Sequence, residues 1–151
     1  MRFILIDRII ELDPGVSVRA EKFISPDEDY FEDHFPGFPV VPGVLLTEMM
    51  GQAAGKSLDA EKVPRGKSML AKIKSAVFRE WVRPGSTVEL LAEIKSSRPE
   101  FATASCQAKV QGKVVASAEL FLTFVPINDF SPAYRDVILE EYLLKHPSSG
   151  K

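Results

Sequence analysis

Pro42-Gly43-Val44-Leu45-Leu46-Thr47-Glu48-Met49-Met50-Gly51-Gln52-Ala53-Ala54-Gly55-Lys56-Ser57-Leu58-Asp59 reads as one helix that is apolar nearly all round. Proline and glycine stand at its start, where a missing N–H costs nothing because the first turn has no partner for it. A helix apolar on most sides is buried on most sides, and a single curved sheet wrapped around it would achieve that. Gly51, Ala53, Ala54 and Gly55 leave little side chain, so strands can pack close to its backbone.

The sheet is legible downstream. From 101 to 110, Ala102, Ala104, Cys106, Ala108 and Val110 alternate with Thr103, Ser105, Gln107 and Lys109. From 114 to 124, Val114, Ala116, Ala118, Leu120, Leu122 and Phe124 alternate with a more polar set. A period of two marks strands with one buried face. Gln111-Gly112-Lys113 is the hairpin turn between them. Residues 68–78 and 86–95 alternate less cleanly, with Arg83-Pro84-Gly85 as a turn, and 17–24 is a further strand. Adjacent runs joined by short turns favour antiparallel pairing. A second helix is expected over Ser131–Lys145, with Ser131 as N-cap and Pro132 at the first helical position.

The chain of 151 residues is long enough for one domain with a real core. Nineteen Lys and Arg against 21 Asp and Glu give a net charge of −2, which excludes a globally basic nucleic-acid binder. One cysteine, Cys106, excludes an intrachain disulfide and any multi-thiolate metal site, and is read as a core residue. The apolar run Phe3-Ile4-Leu5-Ile6 is cut short by Asp7 and Arg8, so neither a signal peptide nor a membrane span is expected, and the expected location is the cytoplasm. Gly51-Gln52-Ala53-Ala54-Gly55-Lys56-Ser57 has three residues between its glycines where a phosphate-binding loop needs four, and it lies inside the helix. His146, beside Pro147 near the terminus, is not read as catalytic.

Glu48 and Gln52 stand in the middle of the helix, spaced i,i+4 and therefore on one face. A carboxylate there must be solvated, hydrogen-bonded or protonated, and burial is how enzymes make a general acid usable near neutral pH. Upstream, Asp33-His34-Phe35-Pro36-Gly37-Phe38-Pro39-Val40-Val41-Pro42-Gly43 holds three prolines and two glycines in eleven residues, which fixes a rigid path. A histidine on such a loop is either a positioned general base or a hydrogen-bonded structural residue. The loop leads to the helix start, where free N–H groups and the dipole can hold an oxyanion. Together these residues can form an acid–base site that uses no cofactor and no metal.

The run from His34 through Glu48, followed by Gln52, resembles the hallmark of the β-hydroxyacyl-acyl carrier protein dehydratases of fatty-acid synthesis. Members pair a His in an H-F-P-G segment with a carboxylate fourteen positions later, which is the separation of His34 and Glu48. Glu at the second position is similar to the dehydratase-only branch. Phe3-Ile4-Leu5-Ile6-Asp7-Arg8-Ile9 and Val77-Phe78-Arg79-Glu80-Trp81-Val82-Arg83-Pro84-Gly85 also resemble family segments.

The resemblance implies an α+β hotdog fold, an antiparallel sheet around a long central helix, over residues 1–125. An extension over 126–151, helical at 131–145, has no counterpart at the family's usual end. It further implies dehydration of (3R)-3-hydroxyacyl-acyl carrier protein to the trans-2-enoyl form. His34 would remove the α-proton and Glu48 would protonate the departing hydroxyl. The Gly43 N–H would hold the thioester oxygen, the Val40 carbonyl would orient His34, and Gln52 would support Glu48. The implied partners are the acyl carrier protein with its acyl-phosphopantetheine and further copies of the chain, as a homodimer or trimer of dimers. In that arrangement His34 of one subunit faces Glu48 of another; no nucleic acid or membrane insertion is implied.

One departure is Asp33, where the family commonly has Gly before the His. Residues 65–83 hold six basic and one acidic side chain, against four basic and ten acidic in 1–48, so Arg79 and Arg83 are candidates for docking an acidic carrier. The helical rise places Met49 beside the catalytic pair, as a candidate wall of an acyl tunnel. Alternatives are another hotdog thioester enzyme, a thioesterase or an enoyl-CoA hydratase, and a non-catalytic acyl-binding homologue.

Overall fold

A computed structural model of the chain describes residues 1–61, 65–130 and 132–147. Six strands form one sheet: β1 (Arg8–Asp13), β2 (Ser17–Phe23), β3 (Lys67–Phe78), β4 (Thr87–Ser97), β5 (Phe101–Val110) and β6 (Lys113–Val125). Their order is β1-β2-β4-β5-β6-β3, and every neighbouring pair is antiparallel. The helix α1 (Gly43–Asp59) lies in the hollow of this sheet, as its sequence requires. Leu46, Met49, Met50, Ala53 and Ala54 face Leu90, Ala104, Cys106, Ala118 and Leu120 within one core, all at most 2% exposed. A second helix, α2 (Val137–Lys145), lies against β1.

The β5–β6 hairpin turns on two residues with positive φ, Gln111 (51°) and Gly112 (78°). That geometry matches the twist of the flanking strands, and glycine reaches it without strain. The expected alternation holds in β5 but slips in β6. A bulge sets two residues of β6 opposite one step of β5, so Val115 is buried while Val114 is half-buried.

Two expectations are corrected. The runs at 68–78 and 86–95 do not pair with each other; β3 pairs with β6 and β4 with β2 and β5, so β5 and β6 lie between them. The Arg83–Ser86 turn is present but belongs to a crossover rather than a hairpin. That crossover is tied down at three points. Arg79 N–H donates to Val115 O (2.8 Å), Val41 N–H to Val82 O (2.8 Å), and Gly85 N–H to Ile24 O (2.7 Å). The C-terminal helix begins at Val137, not at Ser131, which lies outside the described residues. Asp136 is its N-cap, accepting from the Leu139 N–H at 3.0 Å, and Pro132 sits in a preceding turn.

The two edges of the sheet differ. On β1, the Leu12 N–H donates to the Tyr142 hydroxyl of α2 (3.2 Å) in a buried contact. On β3, no element among the described residues pairs with the outer edge, and Met69, Ile73, Val77 and Phe78 are exposed along it.

Candidate active site

The loop before α1 is built to hold His34. A single 3-10 turn at Asp29–Glu32 leads in, and the Tyr30 carbonyl accepts from the N–H groups of both Asp33 (3.2 Å) and His34 (3.0 Å). Phe35 and Phe38 then exchange two backbone hydrogen bonds of 3.0 and 2.8 Å around Gly37, whose φ is +76°. This closed turn brings Val40 back beside His34. The Val40 N–H donates to the His34 carbonyl (3.1 Å), and His34 Nδ1 lies 3.2 Å from the Val40 carbonyl. A carbonyl only accepts, so Nδ1 carries the proton and neutral His34 presents a bare lone pair at Nε2. The ring stacks on Phe35 with centroids 4.0 Å apart. Asp33 is exposed and makes no ion pair with His34.

The chain enters α1 through Pro42, which offers no side-chain cap. Leu45 and Leu46 N–H groups both turn back to the Pro42 carbonyl, while Gly43 and Val44 N–H groups have no acceptor among the described residues. Two donors at the positive end of a 17-residue helix are thus free for an oxyanion. The Phe78 ring at the end of β3 covers this point. A β-carbon at Gly43 would lie 3.0 Å from its Cζ, so a side chain here would press on the ring.

Although α1 is mostly buried, one stripe reaches the surface: Val44, Glu48, Gln52, Lys56 and Asp59, spaced at helical intervals. Gln52 uses its whole amide. Nε2 donates to Glu48 Oε1 (3.1 Å) and to the Phe3 carbonyl (2.9 Å), and Oε1 accepts from the Leu5 N–H (2.9 Å). Gln52 therefore fixes the Glu48 carboxylate and straps the N-terminal segment alongside the helix. Glu48 lines a groove of about 450 Å³ between α1 and β3, walled by Ile4, Gly51, Leu70 and Leu122.

Within one chain the structure places Val40 beside His34, Gln52 on Glu48, and Gly43 at the helix start with its N–H free of any acceptor among the described residues. His34 does not line the Glu48 groove. Met49 is not a groove residue either; it is 1% exposed and packs in the core, because a step of one residue turns it about 100° away from Glu48. Tyr134, Phe3 and Ile4 line the groove and were not among the candidates. Nothing in their local sequence marks them, since only the docking of both termini on α1 brings them there. Cys106 is buried, and burial pushes its thiol up to about 12, with the Glu119 charge adding to the effect. His146 stacks on Tyr142 (4.1 Å) and closes α2. No group of three metal-ligating side chains occurs among the described residues.

Arg79 and Arg83 are both exposed, without carboxylate partners among the described residues. The Arg83 guanidinium sits 4.3 Å over the Phe38 ring, which meets Trp81 edge-on at 6.0 Å. Of the other basic residues in 65–83, Arg65 and Lys67 are paired with Glu61 and Asp59.

The FabA-like domain family matches residues 1–119. The 3-hydroxyacyl-[acyl-carrier-protein] dehydratase FabZ of Ruminiclostridium cellulolyticum is 40% identical over 119 residues, 78% of this chain and 84% of that protein. The FabZ of Levilactobacillus brevis is 41% identical over 127 residues, 83% and 86% of the two chains. Among solved structures, a chain of the dehydratase heterocomplex ApeI:P of Xenorhabdus doucetiae superposes with a TM-score of 0.60 at 17% identity, covering 76% of this chain and 96% of that one. The TT0310 protein of Thermus thermophilus gives 0.61 at 16% identity, with coverages of 78% and 91%. These structural neighbours share the hotdog architecture. With the family domain matched over 1–119 and relatives near 40% identity over most of their length, the chain belongs to the FabA-like family, on its FabZ-type dehydratase branch.

Proposed function

We propose that the chain dehydrates (3R)-3-hydroxyacyl-acyl carrier protein to the trans-2-enoyl thioester, with His34 as base and Glu48 as acid. The observation that carries this reading is the His34 Nδ1 contact with the Val40 carbonyl, which leaves Nε2 as a fixed, unprotonated acceptor. Nε2 takes the proton from the α-carbon while the thioester oxygen gains charge against the Gly43 N–H. The electron pair moves into the α–β bond, the β-carbon–oxygen bond breaks, and Glu48 delivers its proton to the leaving hydroxyl, which departs as water. Gln52 keeps Glu48 aimed. Positioned proton transfers of this kind are worth roughly 10²–10⁴-fold each.

The site is completed by a second copy of the chain. His34 is absent from the Glu48 groove, and that groove is flanked by the open edge of β3 with its exposed Met69, Ile73, Val77 and Phe78. Two copies meeting along β3 about a two-fold axis bury these side chains and carry His34 of one toward Glu48 of the other. Arg83, stacked on Phe38 of the His34 loop, and exposed Arg79 suit the acidic carrier at the mouth of the site. No helix among the described residues is long and apolar enough to cross a membrane.

The product decides. With 3-hydroxybutyryl-acyl carrier protein, enoyl thioester absorbance should rise with no free thiol. Thiol release without enoyl product would make the chain a thioesterase. Saturable binding without either product would make it an acyl-binding homologue.

A further inference from the structure

The groove that begins at Glu48 continues along α1 to its C-terminal end, where Tyr134, exposed and outside the matched family domain, lines it. At that end Lys56 Nζ holds both carboxylate oxygens of Asp136 (3.0 and 2.9 Å), and the two side chains are each 13% exposed. Lys67 pairs with Asp59 (2.8 Å), and Asp59 also accepts from the Ser68 N–H (2.9 Å). Tyr134, two residues before Asp136, lines the same end. Burial lifts its phenol above the ordinary range, while neighbouring Lys67 partly offsets that and Asp136 and Asp59 add to it. The walls are apolar near Glu48 and charged near Asp59. Both the Lys56–Asp136 pair and Tyr134 depend on the extension, which the family domain, ending at residue 119, does not contain.

We propose that the C-terminal extension is a chain-length stop: Tyr134, fixed by the Lys56–Asp136 pair, ends the acyl groove about 12 Å along α1 from Glu48, room for roughly ten carbons past the reacting β-carbon. This rests on the dehydratase reading for which carbon sits at Glu48, but not for the position of the stop. A longer chain would have to displace the phenol and drive methylenes against two ion pairs, which gain nothing from apolar contact.

Binding of saturated acyl-pantetheine thioesters of four to eighteen carbons, by calorimetry on the full chain, tests the stop without needing turnover. Each methylene that enters an apolar groove should tighten binding about fourfold. In the wild-type protein the gain should cease near thirteen carbons. In Tyr134→Ala it should continue for roughly four carbons more, the length of the removed ring. Tyr134→Trp should move the break to shorter chains, and serves if the alanine variant does not fold. A break at the same length in all three proteins, or no break in the wild type up to eighteen carbons, overturns the proposal. Turnover of 3-hydroxyacyl carriers of the same lengths separates the two readings. A broken binding series without dehydration at any length refutes the catalytic assignment alone. Dehydration with an identical length profile in every variant refutes the stop alone.

Discussion

Replacing Gln52 with leucine removes three hydrogen bonds while nearly conserving volume, and its effects on stability and rate can be separated in advance. The Leu5 N–H is partly buried and loses its only acceptor, costing about 1 kcal/mol. The Phe3 carbonyl is exposed, so water replaces the amide there at little cost. Glu48 is half-exposed, so solvent screening reduces the value of the lost donor to about 1 kcal/mol. The sum is about 2 kcal/mol, or roughly 4–8 °C in Tm for a domain of this size. If the donor to Glu48 aims the acid, its loss should also lower kcat about fivefold, the rate factor that about 1 kcal/mol corresponds to. Gln52→Glu separates the two roles. Its carboxylate can still accept from Leu5 but cannot donate to Glu48, and it sets a like charge one helical turn away. Melting curves and steady-state rates on carrier-bound substrate measure both. Gln52→Glu should keep more stability than Gln52→Leu and less activity. Wild-type kcat in either variant would refute the claim that Gln52 positions the acid and leave it only the task of strapping the N-terminal segment.

His34→Ala and Glu48→Gln should each lower kcat by roughly 10²–10⁴-fold with the fold intact. Mixed after subunit exchange, the two inactive variants should regain partial activity; no recovery despite proven exchange would place both residues of each site on one chain. Charge reversal at Arg79 and Arg83 should raise KM several-fold for carrier-bound substrate, less so at high salt, and should spare a short pantetheine thioester. Equal losses on both substrates would instead show damage inside the site. Tyr142→Phe should cost about 1–3 kcal/mol in urea denaturation, because the buried Leu12 N–H is left without an acceptor.

The central helix was legible because its signals agree. Pro42-Gly43 marks the start, and seventeen residues whose polar side chains gather on one narrow stripe demand burial of the rest. The contact of Gln52 with Glu48 follows from i,i+4 spacing whatever the rest of the fold does, whereas the role of His34 comes from the resemblance to the dehydratases. What failed needed information from far along the chain. The pairing of β3 with β6 rather than β4 is a choice between partners, and no local alternation encodes it. β1 went unseen because charges at Arg8, Glu11 and Asp13 and a register shift between Ile9 and Glu11 leave few regular steps. Ser131-Pro132 and Asp136 both offer helix starts. The fold uses Asp136, whose carboxylate is also held by Lys56. Met49 packs in the core rather than along the groove, and the 100° step from Glu48 is the local signal for that.

The unequal edges of the sheet limit how far the protein can assemble. A sheet with two bare ends can add copies without limit, and the product is an open filament. Here the Tyr142 hydroxyl takes the Leu12 N–H and α2 packs on β1, so among the described residues β3 is the open strand. Two such molecules joined along β3 consume both strands at once, and nothing remains for a third to extend. If copies join along β3 as proposed, the C-terminal segment that covers β1 also keeps the sheet from growing past two copies.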